Sequence, residues 1–297
     1  MTFNRKSTAE DVTAGLELRR KNIVITGVNS GLGEESMRVL CKRGAHVIGL
    51  ARSMEKAAAA CAAVEGKTTP VACELSDFSS VQAAGATINA LGIPIDVLIT
   101  NAGIMAPNHL SHAHNLEMQF ATNHVGHFIL INQLLERVKQ AEAGRIVILS
   151  SGAHVMTVKG GIDFGNLDAS NGYKPWPFYG QSKLANLLTA RHLAKQLADT
   201  NITVNAVHPG VIKTNLARDA GGLFTSIIGL LAKPIEKNVE QGAATQCYVA
   251  VNPETANISG EYFSDNAVAK SSGLGRNELL AEELWSKTTE LAADYLS

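Results

Sequence analysis

The sequence lacks a charge bias. Its 26 Lys and Arg face 27 Asp and Glu, for a net charge of −1, so no general attraction to nucleic acid is implied. Long apolar runs are missing too. None approaches the ~20 residues of a membrane span, although 45% of positions are hydrophobic, ample for a core. The stretch from Met1 to Ser7 has no apolar segment of the secretory kind. The four cysteines, Cys41, Cys61, Cys73 and Cys247, form no CxxC pair and sit in apolar or helical contexts. They read as reduced, buried thiols of a cytoplasmic protein, in which the sequons at Asn201 and Asn257 would go unused. There is no GxSxG elbow, which argues against a serine hydrolase. No repeat, low-complexity tract or linker breaks the 297 residues, so residues 1–297 are read as a single domain.

What is present alternates. Apolar runs of strand length at 22–26, 44–50, 69–73, 95–99, 145–149 and 202–207 are separated by helical stretches, and a short last strand is expected near Tyr262. This predicts right-handed βαβ units and a doubly wound parallel α/β sheet of about seven strands, with helices on both faces. Residues 1–20 form a lead-in, with Thr8 as N-cap and Asp11 at N3 of a short helix. Residues 211–236, with Gly221, Gly222, Leu223 and Phe224, form a loop region. The gap between Ser151 and Tyr179 exceeds an ordinary connection and marks a pocket wall or lid.

The first strand runs into Thr26-Gly27-Val-Asn29-Ser30-Gly31-Leu32-Gly33 and then a helix. Strand, glycine turn and helix make a dinucleotide site. The glycines let backbone approach a pyrophosphate, and the helix N-terminus offers N–H groups and a positive dipole end. A purely structural turn is the competing reading. The second strand ends in Ala51-Arg52 with no carboxylate. Guanidinium pairs well with a 2′-phosphate, so the pattern leans to NADP(H), with NAD(H) possible; an ordinary surface arginine is the alternative.

Tyr179-Gly-Gln-Ser-Lys183 sits at the head of a helical apolar run. Residues four apart share a helix face, so the phenol and the ammonium project side by side. A nearby cation favours the phenolate, which predicts a Tyr179 pKa below the free value of about 10. Such a tyrosine suits general acid–base work. A bare YxxxK pair is more often solvated surface, and the neighbouring motifs decide between the two. His109, His112, His114, His124 and His127 raise the question of a metal. Only Glu117 stands near them as a further ligand type, and His124 and His127 fall in an amphipathic helix read from Phe120 to Val138, so they are read as structural or solvated and no metal is expected.

Taken in order, Thr26-Gly27-xxx-Gly31-x-Gly33, Asn101-Ala102-Gly103, Asn123, Ser151, Tyr179-xxx-Lys183 and Pro209-Gly210 resemble the short-chain dehydrogenase/reductase family, from about Lys21 to Phe263. Gly44-Ala-His-Val47, Asn123-His-Val-Gly-His-Phe128, Ser150-Ser-Gly-Ala-His154 and Ser182-Lys-Leu-Ala-Asn186 look most like its retinol-dehydrogenase-like and WW-domain-oxidoreductase-like branch. Two departures stand out: Glu74 replaces the usual Asp, and the Ser151–Tyr179 gap is long.

The resemblance implies a Rossmann-type fold and a nicotinamide-dependent alcohol dehydrogenase or carbonyl reductase. Its catalytic set would be Asn123, Ser151, Tyr179 and Lys183. Cofactor contacts would come from Gly27 to Gly33, Arg52, Glu74, Leu75, Asn101, Ala102, Gly103, Tyr179, Lys183, Pro209, Gly210, Val211 and Thr214. The substrate, a fairly apolar alcohol, ketone or aldehyde, would meet Ser151, His154, Trp176, Phe178, Tyr179 and Leu216. Relatives that bind dinucleotide as sensors or scaffolds without turnover are the other class; they commonly lose the Tyr or Lys retained here. Family dimers pair the helix after Asn123 with the Tyr179 helix, so a homo-oligomer through Leu130, Leu134, Val138, Leu187, Ala190 and Ala194 is expected.

Overall fold

The computed structural model describes residues 3–212 and 236–296. Its strands are β1 (Asn22–Thr26), β2 (His46–Ala51), β3 (Lys67–Ala72), β4 (Val97–Thr100), β5 (His112–Ala113), β6 (Leu116–Glu117), β7 (Arg145–Leu149), β8 (Thr203–His208), β9 (Val211–Ile212), β10 (Glu236–Lys237), β11 (Tyr262–Ser264) and β12 (Ala267–Val268). Eight of them form one sheet in the order β3-β2-β1-β4-β7-β8-β11-β12. Every pairing in it is parallel except β11 with β12. The order reverses direction at β1, so the exits of β1 and β4 diverge and open a crevice for a ligand.

Seven parallel strands match the sequence expectation, and β12 adds an antiparallel edge. Asp265 and Asn266 make its turn, with φ of +53° and +63°, as two-residue hairpins require. A two-residue strand is too short to show a period of two.

Alternation along the strands divides the core. Val24, Ile48, Leu98, Ile146 and Ile148 face one layer, while Ile23, Ile25, Val47, Val97, Ile99 and Val147 face the other. The second layer holds α1 (Ala9–Val12), α2 (Gly31–Lys42), α3 (Met54–Ala62) and, after the last central strand, the helix Val239–Val251. Thr8 and Asp11 cap α1 reciprocally, as the lead-in predicts. The first layer holds α4 (Phe78–Asn89), the single turn α5 (Met118–Phe120), α6 (Gly126–Lys139) and α7 (Pro175–Gln196). The helix Val239–Val251 is α8, and α9 is Glu278–Leu291.

Two expectations about these helices change. The sequence predicts one helix from Phe120 to Val138, yet Ala121–Val125 is a π turn between α5 and α6. Pro175 and Pro177 were expected in the loop. Instead Pro175 opens α7, where its missing N–H costs nothing. The helix therefore starts four residues before Tyr179.

The expected pairing surface is not available. Every residue from Phe178 to Ala190 is buried, as is every residue from Ala121 to Ile131. A helix buried all round belongs to the chain's own core. The α9 helix covers this pair: Trp285 packs edge-on to Phe128 at 4.8 Å and stacks on His192 at 4.9 Å, and His124 bonds Thr288 Oγ1 at 2.9 Å. Among the described residues no helix is long and apolar enough to cross a membrane.

Candidate active site

The C-terminal ends of β1, β4, β7 and β8 carry Gly27, Asn101–Gly103, Ser151–Ala153 and Pro209–Gly210, all only half-buried. Asn101 Nδ2 donates to the Thr26 carbonyl at 2.8 Å, and the Ala102 N–H donates to Thr26 Oγ1 at 2.9 Å. These two bonds lock the exits of β1 and β4 together. Gly27 has φ of +75°, a conformation that glycine enters freely. Gly33 allows a close approach: a Cβ there would lie 2.5 Å from Asn101 Nδ2 and press on the Gly27 carbonyl.

Asn29 and Ser30 are exposed at the start of α2, and the Ser30 hydroxyl makes no cap bond. The first N–H groups of α2 and this hydroxyl thus remain for an anion. Arg52, just past β2, is exposed and makes no ion pair among the described residues. Glu74 turns back instead, its carboxylate accepting from the Ser76 N–H and hydroxyl at 3.2 and 2.8 Å. Leu75 is buried, with Gly126 packed on its carbonyl. Of these two expected cofactor contacts, one is engaged in its own turn and the other lies inside.

On α7, Tyr179 and Lys183 are 6% and 4% exposed. Lys183 Nζ lies 5.8 Å from the centre of the Tyr179 ring and donates to the Leu149 carbonyl at 3.2 Å. An ammonium has three donors; this is the one protein hydrogen bond Lys183 Nζ makes among the described residues. Burial pushes the Lys183 pKa down to about 8.

Tyr179 departs from the sequence expectation. Burial pushes its phenol up to about 12, and the neighbouring Ser151 hydroxyl offsets only part of that. Desolvation penalises the phenolate more than its neighbours stabilise it. The cation was expected to lower this pKa, and burial outweighs it.

Ser151 follows β7, and its Oγ also accepts from the Ala153 N–H at 3.1 Å. Asn123 sits in the π turn. Its Oδ1 accepts from the Ile104 N–H at 2.8 Å, and its Nδ2 donates to the Ile104 carbonyl and Ser182 Oγ, both at 2.9 Å. A Cβ on Gly103 would stand 2.9 Å from Asn123 Oδ1 and 3.5 Å from Lys183 Nζ. The Asn101-Ala102-Gly103 turn thus touches Asn123 and Lys183 at once.

The expected substrate wall divides. Trp176 is half-buried, edge-on to Tyr179 at 6.1 Å. Phe178 is turned inward against Tyr173. His154 is also internal. Its Nδ1 donates to the Ser151 carbonyl at 2.7 Å and its Nε2 accepts from the Ser272 N–H at 3.1 Å, so it supports Ser151 from behind. Val211 is exposed. Thr214, Leu216, Leu223 and Phe224 lie outside the described residues.

His208 is a supporting residue that the sequence reading passed over. Its Nδ1 accepts from the Gly152 N–H at 3.0 Å, which fixes the turn after Ser151. A histidine directly ahead of Pro209-Gly210 was the available signal. Two other histidines weighed as metal ligands have ordinary partners. His112 bonds the Asp168 carbonyl at 2.8 Å, and His114 accepts from the Phe78 N–H at 3.2 Å while stacking on that ring.

The site therefore combines a glycine cradle at a helix N-terminus with a buried Tyr–Lys pair beside a serine hydroxyl. These residues fit a nicotinamide dinucleotide. The cradle would take its pyrophosphate, and the free Lys183 donors would take a ribose. The short chain dehydrogenase family model matches residues 21–165 and 164–221.

The chain belongs to the short chain dehydrogenase family. Over 97% of its length it is 42% identical to short-chain dehydrogenase TIC 32 B, chloroplastic, of Brassica napus, of which it covers 94%. Mouse retinol dehydrogenase 12 is 36% identical over 94% of this chain and 88% of its own. Among solved structures, an uncharacterized protein from Mycobacterium Paratuberculosis superimposes with a TM-score of 0.77 at 32% identity, covering 96% of this chain and 97% of that one. This short-chain dehydrogenase sits in the retinol-dehydrogenase-like branch, as its Asn123 to Phe128 and Ser150 to His154 stretches suggest.

Proposed function

We propose that this short-chain dehydrogenase interconverts an alcohol and its ketone or aldehyde, with NADP(H) as the preferred dinucleotide. The observation that carries the proposal is the buried Tyr179–Lys183 pair on α7 with the Ser151 hydroxyl beside it. The nicotinamide, when bound, exchanges hydride with the carbonyl carbon. Tyr179 Oη gives the carbonyl oxygen its proton in reduction and takes the hydroxyl proton in oxidation. Ser151 donates to the same oxygen as its negative charge grows. Lys183 holds the dinucleotide ribose and favours the phenolate once ordered beside it. Asn123 keeps Lys183 and the Gly103 turn in register. Arg52 is free to meet a 2′-phosphate.

The rim favours an apolar substrate. Val155, Met156 and Val211 are exposed on the turns after β7 and β8, and Met105 and Trp176 pack around Tyr179. The relatives named retinol dehydrogenases fit this rim. The test is NADPH and NADH oxidation with a panel of apolar ketones and aldehydes. Turnover with NADPH is expected. Dinucleotide binding with no turnover across the panel would favour a sensor or scaffold instead.

A further inference from the structure

His127 lies one turn after Asn123, 2% exposed. Both of its ring nitrogens are engaged. Nδ1 is 3.0 Å from the Asn123 main-chain carbonyl, and Nε2 is 2.9 Å from Thr26 Oγ1. A carbonyl only accepts, so Nδ1 must carry a proton. Burial keeps the ring neutral, its pKa pushed down to about 4. Nε2 is therefore an acceptor, and the Thr26 hydroxyl donates to it. That hydroxyl in turn accepts from the Ala102 N–H at 2.9 Å.

The protons thus point one way along a single chain: Ala102 N–H to Thr26 hydroxyl, Thr26 hydroxyl to His127, His127 to the Asn123 carbonyl. One end of this chain belongs to the turn that locks β1 to β4 beside the glycine cradle. The other end is in the π turn Ala121–Val125, where i→i+5 bonding disturbs the regular ladder and its carbonyls are free to take other partners. The Asn123 side chain is already held by Ile104 and Ser182. What His127 adds is the orientation of the main-chain carbonyl.

We infer that His127 is a positioning residue that couples the seating of the dinucleotide turn to the placement of Asn123 in the catalytic set. This rests on the oxidoreductase reading above. His127 moves no proton to or from substrate. Its two bonds make the β1–β4 exit and the π turn respond to each other.

Two variants separate the bonds. In His127→Asn the shorter amide reaches the Nδ1 position and keeps the donor to the Asn123 carbonyl, losing Thr26. In His127→Gln the longer amide reaches the Nε2 position and keeps an acceptor for Thr26, losing Asn123. The measurements are the NADPH dissociation constant, kcat on a ketone that the wild type reduces, and the thermal midpoint, all on the full chain. One such hydrogen bond typically changes an equilibrium by about three- to tenfold.

His127→Gln is expected to bind NADPH within twofold of wild type and lose kcat by about that factor. His127→Asn is expected to recover most of kcat and lose NADPH affinity by about that factor. A purely structural histidine would lower both quantities alike in both variants, in step with the thermal midpoint, and that result overturns the inference. Nitrogen NMR of the imidazole in the wild type gives a readout free of activity. The Nδ1–H tautomer is expected, and the Nε2–H tautomer overturns the proton chain. A wild type that binds neither NADPH nor NADH refutes the oxidoreductase reading, and the coupling with it, before any variant is made.

Discussion

Lys183 and Tyr179 stand one turn apart on α7, the ammonium 5.8 Å from the centre of the phenol ring, and both are buried. Burial drives their pKa values toward the neutral forms, Lys183 down to about 8 and Tyr179 up to about 12. Burial therefore disfavours the charged form of both groups.

A stability prediction follows with a definite sign. Lys183 binds its proton less tightly folded than unfolded, so at neutral pH its charge opposes folding. Lys183→Met is expected to stabilise the dinucleotide-free protein at pH 7 by an amount on the order of 3 kcal/mol or less, and so to raise its thermal midpoint. The wild type regains stability as pH rises from about 8 toward the unfolded value near 10.5, because the folded lysine loses its proton first. The gap between the two proteins should close over that window. Melting curves at several pH values check it. An advantage that stays constant through the window would mean that packing, not charge, sets the difference.

Tyr179→Phe removes one hydroxyl and leaves the ring packed against Trp176 and Ala106. The glycine cradle is untouched, so dinucleotide affinity should survive. Turnover should fall by about 10²–10⁴-fold, the usual contribution of a general acid or base. Lys183→Ala should weaken both. Stopped-flow turnover and equilibrium binding measure the two effects separately. Near-normal turnover in Tyr179→Phe would reduce Tyr179 to a structural residue.

The architecture was legible because its signals are local. Apolar runs marked β1, β2, β4 and β7 as buried strands of a parallel sheet, and the Gly27 to Gly33 turn marked the crevice. The parts that were not legible depend on contacts distant in sequence. Nothing near Asn123 announces a π turn, because that turn is held by Ile104 and Ser182 from other segments. The Tyr179 pKa moved opposite to expectation because spacing shows the neighbouring cation and hides the desolvation. His154 and Phe178 looked like wall residues from their place in a long loop. Their bonds to Ser272 and packing on Tyr173 turn them inward.

Arg52 sets the cofactor prediction. It is exposed past β2, among the described residues has no ion-pair partner, and Glu74 is held on Ser76. A charge-assisted phosphate contact is worth about 1.5–3 kcal/mol, and solvent exposure places this one at the low end. NADPH should be preferred over NADH by about tenfold, and Arg52→Ala should remove most of that preference while leaving NADH kinetics little changed. Efficiencies for both cofactors decide it; equal use by the wild type would sink the assignment.

The last prediction concerns assembly, where burial reverses the expectation drawn from the resemblance. All faces of α7 from Phe178 to Ala190 lie inside the chain, and α9 closes over α6 and α7 through Leu284, Trp285 and Thr288. Phe178 to Ala190 on α7 and Ala121 to Ile131 thus offer a second copy no surface. The protein is expected to run as a 31.4 kDa monomer by light scattering at micromolar concentration. Leu284 is 1% exposed, so Leu284→Ala should cost about 2–5 kcal/mol and loosen α9 from the helices beneath. The uncovered surface is apolar, and an apolar patch of that kind favours association. Leu284→Ala should therefore show a lower thermal midpoint together with a concentration-dependent mass. A dimeric mass for the wild type would mean that pairing uses another surface and that α9 does not stand in for a partner.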